Sequence, residues 1–313
     1  MTSEPGALIA VDWGTTRLRA ILLDRAGTAV DEAESEAGIG TLSGRHEAAF
    51  EALAAKWPKV PAIMAGMVGS RQGWREAAYL PCPASASGLA AKMLRFATSG
   101  GRAIAIVPGV MLRDPRRDGD VLRGEETQII GLVDGEPDFA GLAILPGTHS
   151  KWATIAGGAL TSFQTFLTGE LFELLSRHSF LRHSVAESDR DLSAEPDFAL
   201  AVRRMAEEGL PFLSAVFSVR VRQLLDNIGR ESNLAYLSGL LIGGEIAAAK
   251  ASGQLGQTTR IRIVGTRSLA AAYRRAFAVI GQETEARDGK AMVTAGLVHL
   301  ARAIGFLPQV QPS

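Results

Sequence analysis

LIAVDWGTTRLRAILLD, residues 8–24, contains two apolar runs, Leu8 to Val11 and Leu18 to Leu23, separated by a Gly-Thr-Thr turn. Short apolar runs bounded by turn residues read as strands, and Gly27 then turns the chain into a third stretch, completing a three-strand meander. The same grammar returns from Gly141 to Phe166: GLAIL, a turn at Pro146-Gly147-Thr148-His149-Ser150, KWATIA, a Gly157-Gly158 turn, and ALTSFQTF. Laid over each other, the copies place Gly14-Thr15 on Gly147-Thr148. Self-similarity at half the chain length predicts two related domains, since solenoid repeats are far shorter.

Between the copies, periodicity predicts a helix from Glu47 to Lys56, a strand from Ala62 to Met67, a helix from Gly88 to Ala97 and a strand from Ala103 to Val107. Beyond the second copy the chain reads as mostly helical: Glu170 to Arg177, Pro196 to Glu207, Phe212 to Asn227 and Ala235 to Lys250. A strand from Arg260 to Val264 follows, then helices over Leu269 to Val279 and Ala291 to Ile304. Strands alternating with helices indicate an α/β class. The most polar, turn-rich stretch between the copies is Asp134-Gly135-Glu136-Pro137-Asp138, which divides the chain into domains 1–136 and 137–313 joined by a hinge.

The 313 residues are 47% hydrophobic and 21% charged, enough apolar material for a sizeable core. Basic and acidic residues both number 33, so no net field draws a polyanion, and nucleic acid is excluded as a partner. The single cysteine, Cys82, lies between Pro81 and Pro83 and rules out an intrachain disulfide or a Cys-rich zinc site; a reducing cytoplasmic compartment fits. No secretory signal pattern opens the chain, and no membrane span is expected, because no run of eighteen apolar residues is uninterrupted. The apolar stretch from Leu237 to Ala249 carries Gly243, Gly244 and Glu245 and reads as a core helix. The histidines other than His149 have no metal-ligand spacing. Arg220 and Arg222, two apart on a helix, read as part of a solvated face. A homodimer is compatible with this composition.

A hairpin turning through Gly14, Thr15 and Thr16 directs backbone N–H groups and two hydroxyls into one concavity, the arrangement that cradles phosphate. Asp12, at the exit of the first strand, suits Mg²⁺, which prefers oxygen ligands and few protein carboxylates. Arg17 can neutralise developing charge. The second loop, Gly147-Thr148-His149-Ser150-Lys151, repeats a hydroxyl-bearing glycine turn, so two loops facing across an interdomain cleft could grip one triphosphate. Gly265-Thr266 leads from a strand directly into a helix, where backbone can approach an adenosine. No G-x-x-x-x-G-K-[ST] string occurs, which disfavours a P-loop site.

VDWGTTRLRAILLD, GMVGSRQGW, VPGVMLRD, DVLRGEETQIIGL, LPGTHSKWATI and TFLTGELFELL together resemble the 2-dehydro-3-deoxygalactonokinases, densely from Leu8 to about Glu173 and more loosely to the C-terminus. The resemblance implies the actin-like ATPase (ribonuclease H-like) fold, two duplicated βββαβα-type domains with a cleft between them. It also implies transfer of the ATP γ-phosphoryl to the 6-hydroxyl of 2-dehydro-3-deoxy-D-galactonate, with Mg²⁺, in galactonate catabolism.

Phosphoryl transfer needs a metal, phosphate donors and a carboxylate to deprotonate the attacking hydroxyl. RGEETQIIGL also resembles the SGxEEARxIYxG pattern of exopolyphosphatases on this fold, whose first glutamate helps activate the nucleophile; that resemblance points to Glu125. Asp120 is the alternative, since kinases of this fold usually employ an aspartate near there. Glu126, beside Glu125, is a substrate-site candidate, although acids are favoured in a helix's first turn by the macrodipole alone, a field that lowers a carboxyl pKa. A sugar acid calls for a cation and several donors, which Ser70, Arg71, Gln72 and Trp74 supply in a glycine-bounded loop. Thr168 and Gly169 open a predicted helix and can present N–H groups to an anion, although a routine cap explains Thr168 equally well. Alternatives are a kinase for the gluconate epimer, a phosphatase or nucleotide hydrolase of the same fold, and a nucleotide-binding regulator. The compact GMVGSRQGW loop on a neutral chain favours a small acid sugar over polyphosphate.

Overall fold

The computed structural model describes residues 6–114, 117–188, 190–256 and 259–309. Strands β1 (Leu8–Trp13), β2 (Leu18–Leu23) and β3 (Ala29–Ser35) form the first meander, followed by helix α1 (His46–Leu53) and strand β4 (Ala62–Gly66). Next come β5 (Leu80–Pro81), α2 (Ala86–Ala91), β6 (Leu94–Ala97), β7 (Ala103–Ile106), β8 (Val110–Asp114), β9 (Arg117–Leu122) and α3 (Glu125–Gly135). The second meander is β10 (Gly141–Leu145), β11 (Ser150–Ala156) and β12 (Ala159–Phe166). Helices α4 (Thr168–Glu173), α5 (Pro196–Ala206), α6 (Phe212–Asp226) and α7 (Arg230–Ala251) precede β13 (Ile261–Gly265), α8 (Arg267–Val279), β14 (Glu285–Asp288) and α9 (Gly289–Ala303).

The duplication read from the two meanders reappears in topology. One sheet runs β3-β2-β1-β4-β7-β6 and the other β12-β11-β10-β13-β14. In each, the meander's first strand sits beside a later strand running parallel to it: β1 with β4, β10 with β13. A separate three-stranded sheet, β5-β8-β9, has no counterpart in the sequence reading. The expected helix over Gly88 to Ala97 is also corrected: α2 ends at Ala91, and Leu94–Ala97 is a strand antiparallel to β7. Leu94 and Phe96 alternate inward and pack on the first core, a two-residue period that a helix cannot satisfy.

Two compact units result, one of residues 1–139, 155–163 and 289–313, the other of 140–154 and 164–288. A single cut after residue 136 therefore does not describe the division. Helix α9 belongs with the first unit because it packs on α3 backbone to backbone. A Cβ on Gly131 would lie 2.0 Å from the Met292 carbonyl oxygen, and one on Gly296 would lie 2.0 Å from that of Thr127, so only glycine permits the crossing.

The first unit's core holds Trp13, Leu18, Phe50, Met64 and Ile106. The second unit has two cores, one around Trp152, Phe198, Ile263 and Phe277, the other around Tyr236, Leu237 and Leu240. Helix α7 is long and apolar enough to cross a membrane by length and composition alone, yet 67% of its most apolar window is buried within the protein. Arg222 is likewise buried and not on a solvated face: it pairs with Asp197, donates to Asn233 and stacks over Tyr236. A guanidinium shed of water needs such partners.

Candidate functional site

In the first unit the Gly14–Arg17 turn is closed by the Gly14 N–H donating to the Arg17 carbonyl at 3.0 Å. A short helical turn braces it from behind: Ile39 N–H donates to Gly14 O and Gly40 N–H to Thr15 O, each at 3.1 Å. Thr15, Thr16 and Arg17 are exposed. The backbone N–H groups of Thr15 and Thr16 have no acceptor among the described residues. Arg17 lies 3.8 Å from Glu34. Asp12 lies 3.7 Å from Arg19; partial burial raises its carboxyl above the ordinary range while Arg19 opposes the shift.

Gly66 joins this turn to the next element. It adopts φ +95° at the end of β4, where a Cβ would come within 2.7 Å of the Trp13 carbonyl oxygen. The loop after it carries four expected substrate contacts, which differ in setting. Ser70 is buried and its hydroxyl has no partner among the described residues. Arg71 and Gln72 are exposed, Arg71 lying 3.7 Å from Glu76. Trp74 is half-buried and packs edge-on against Trp13 and Phe96, with ring centroids 6.3 and 5.1 Å away, so it forms part of the core wall beneath the loop.

At the start of α3 the two glutamates separate. Glu125 is half-buried and accepts from the Arg123 N–H at 3.0 Å. Glu126 is 1% exposed and accepts from the Gly124 N–H at 2.7 Å and the Thr127 hydroxyl at 3.2 Å. Burial, aided by the Glu125 charge, pushes the Glu126 carboxyl up to about 8. The macrodipole argument from sequence is thus reversed at this residue, because desolvation outweighs the helix field. Asp120, on β9 opposite Leu112, is half-buried and accepts from the Val121 N–H at 2.7 Å.

Sequence reasoning passed over Arg123, the first residue of RGEETQ. Its Nη2 donates to the Ala77 carbonyl at 2.8 Å and the guanidinium lies 4.4 Å from the Tyr79 ring centroid, while Nε and Nη1 are buried without an acceptor among the described residues. Gly69, next to Ser70, leaves the space that Nη1 occupies, since a Cβ there would sit 2.7 Å away.

In the second unit the Gly147–Lys151 loop splits by direction. Thr148 and His149 are exposed, and His149 Nε2 lies 2.6 Å from a Glu170 carboxylate oxygen. Glu170 N–H donates to Thr148 O at 2.9 Å, fastening the loop to α4, where Thr168 and Gly169 begin the helix. Ser150 and Lys151 turn inward. Ser150 donates to Glu245 at 2.7 Å and Lys151 Nζ to the Thr165 hydroxyl at 3.0 Å, so both side chains are committed to the interior. β11 begins at Ser150, and the buried Glu245 carboxyl recruits the donors around it.

That carboxylate, Glu245 on α7, also accepts from the Trp152 indole N–H, the Thr168 hydroxyl and, at 2.7 Å, the Tyr273 hydroxyl. Burial raises its carboxyl and the four donors oppose the shift. Its signal in the sequence was a lone charge in an apolar helix. A cavity of about 230 Å³ lies beside the cluster, bordered by Pro146, Gly147, Thr168, Gly169, Ser268 and Tyr273. Gly265 ends β13 beside Pro146, one of the bordering residues, and Thr266 follows it as the residue preceding α8. No group of three His, Cys, Asp or Glu side chains able to hold a metal occurs among the described residues.

The family profile 2-keto-3-deoxy-galactonokinase matches residues 12–300. The chain belongs to that family. Among curated 2-keto-3-deoxy-galactonokinase relatives, the "Probable 2-dehydro-3-deoxygalactonokinase DgoK1" of Rhizobium meliloti is 38% identical over 307 residues, 96% of this chain and 98% of that protein. The 2-dehydro-3-deoxygalactonokinase of Escherichia coli K12 is 36% identical, covering 95% of this chain and 98% of its own. A crystal structure from Sinorhizobium meliloti described as a 2-dehydro-3-deoxygalactonokinase protein superposes with TM-score 0.89 at 37% identity, over 97% of this chain and 98% of that one. The Clostridium difficile activator of 2-hydroxyisocaproyl-CoA dehydratase, bound to ADPNP, shares the fold alone, at TM-score 0.50 and 12% identity over 95% of each chain. This 2-keto-3-deoxy-galactonokinase family member has the actin-like ATPase and sugar-kinase fold that the family resemblance implied.

Proposed function

We propose that the chain transfers the γ-phosphoryl group of ATP to O6 of 2-dehydro-3-deoxy-D-galactonate, giving 2-dehydro-3-deoxy-6-phospho-D-galactonate and ADP, in cytoplasmic galactonate catabolism. The bond from O6 to the γ-phosphorus forms, the bond from that phosphorus to the β,γ-bridging oxygen breaks, and the O6 proton passes to a carboxylate. Glu125 takes the proton, with Asp120 as the alternative. Glu126 is less suited: a carboxyl pushed up to about 8 by burial is mostly protonated at neutral pH and has little capacity to take a further proton.

The observation that carries the sugar-acid reading is the buried donor set of Arg123 and Ser70. Two guanidinium nitrogens and a hydroxyl without acceptors match a substrate bearing a carboxylate and a ketone. The exposed Thr15 and Thr16, with backbone N–H groups that have no acceptor among the described residues, suit phosphate oxygens, as does the exposed part of the Gly147–His149 loop. Gly265 and Thr266, near the 230 Å³ cavity, suit the adenosine end. Asp12 fits Mg²⁺, which commonly takes one or two protein carboxylates and completes its shell with water and phosphate oxygens. When bound, Mg²⁺ supplies neutralising charge to the phosphates.

A coupled assay of ADP release over a panel of sugar acids tests this reading. Release that depends on 2-dehydro-3-deoxygalactonate is expected; preference for the gluconate epimer moves the substrate assignment to it. Equal release without any sugar acid replaces the kinase with a hydrolase.

A further inference from the structure

Helix α6 is apolar on two opposite faces. Its inward face, Ala215, Val216 and Val219, is buried. The opposite face carries Leu213, Phe217, Val221, Leu224 and Leu225, which are 83%, 61%, 37%, 59% and 76% exposed. At 3.6 residues per turn these five side chains fall within one stripe roughly 120° wide. A surface helix normally turns such a face to polar residues, and apolarity all round marks a helix covered on both sides. Phe180 extends the stripe, being 66% exposed with its ring centroid 5.3 Å from the Arg220 guanidinium. At roughly 150–250 Å² for a large side chain, scaled by these exposures, the six present on the order of 700 Å² of apolar surface. That exceeds the patch of about 300–600 Å² typical of a monomer and is near the roughly 800 Å² that each partner buries in a standard interface.

We propose that this face of α6 is the contact surface for a second copy of the chain, packed as an antiparallel α6–α6 pair about a two-fold axis. The spacing supports a self-complementary contact. Leu213, Phe217, Val221 and Leu225 stand at steps of four and are symmetric about position 219. A two-fold contact uses the same patch twice, so Leu213 meets Leu225 of the second copy and Phe217 meets Val221, each pairing occurring twice. Rows at this spacing interdigitate at an interaxial angle of about −50°. A membrane surface is the poorer occupant, because an interfacial helix needs free cations along its edge. Both arginines of α6 are engaged: Arg222 pairs with Asp197, and Arg220 donates to Gln223 and Ser184 while stacking on Phe180.

Sedimentation velocity on the full chain tests the proposal. A species of twice the chain mass is expected at micromolar concentration, and Phe217→Glu is expected to weaken it at least about 100-fold, as burying unpaired charge at an interface centre does. Leu213→Glu and Leu225→Lys are each expected to dissociate the pair, and the double variant to restore it, because each introduced glutamate then faces an introduced lysine. A wild-type chain that stays monomeric at about 100 μM, a range in which even weak specific pairs form, overturns the proposal. So does a dimer unaffected by Phe217→Glu; failure of the double variant to recover overturns the antiparallel pairing. Should a variant not fold, hydrogen exchange of wild-type α6 amides decides alone: protection that rises with chain concentration supports the contact, and its absence refutes it.

Discussion

Ser150 donates its hydroxyl hydrogen to Glu245 at 2.7 Å, and this bond fixes the Ser150 end of the 147–151 loop in the interior. With that hydroxyl turned inward, Thr148 and His149 are left exposed, and the strand from Ser150 onward acts as their anchor. Because Thr168 and Tyr273 share the same carboxyl group, one buried side chain holds the loop, the start of α4 and helix α8 in fixed relation.

Glu245→Gln is therefore expected to cost about 1–3 kcal/mol of stability, the range for buried donors left without an acceptor when one oxygen becomes an NH₂ group. Urea unfolding measures the loss, and initial-rate kinetics should show KM for ATP rising more than kcat falls. A variant with wild-type stability would mean that the four donors find other acceptors without strain.

Glu126 makes stability depend on pH in a stated direction. Its carboxyl titrates at about 8 in the folded chain against 4.5 for the ordinary group. Between those values the folded state keeps a proton that the unfolded state releases, so stability falls as pH rises from about 4.5 to about 8. Glu126→Gln should flatten that slope, as read from urea midpoints at pH 5 and pH 8. An unchanged slope would show that Glu126 is already ionised at neutral pH.

Replacing the proposed base should act on turnover. Glu125→Gln is expected to lower kcat by about 10²- to 10⁴-fold with KM for ATP little changed, the span usual for removing general base catalysis. If Glu125→Gln stays near the wild-type rate and Asp120→Asn falls by that amount, the proton goes to Asp120.

Arg123→Lys keeps one charge but cannot reproduce a planar guanidinium stacked on Tyr79. KM for the sugar acid should rise about 10- to 100-fold, the equivalent of one or two charge-assisted hydrogen bonds. KM for ATP serves as the control: an equal rise in both would reduce Arg123 to a brace for the 66–77 loop.

Asp12→Asn is expected to raise the Mg²⁺ concentration needed for half-maximal rate by about tenfold or more, since Mg²⁺ relies on few protein carboxylates. Isothermal titration of Mg²⁺ into the chain with ADP checks this apart from turnover. Unchanged metal dependence would leave Asp12 as a partner of Arg19.

The strand order of both meanders, the α/β class and the tight turn at Gly14–Arg17 were determined by the sequence itself, because strand periodicity and turn chemistry are local properties. Helix boundaries followed closely in α6 and α8, fell five residues late at the start of α7, and failed at Leu94–Ala97, where four residues cannot separate a helical period from a strand's. Only the tertiary structure decided that α9 joins the first unit through Gly131 and Gly296, that Ser150 and Lys151 face inward, and that Glu126 rather than Glu125 is cut off from water. Arg123 with unmet donors and the bare stripe of α6 belong to the same class. Burial, the identity of a hydrogen-bond partner and the exposure of one helix face all depend on residues far away in the chain, so neighbouring sequence carries no record of them.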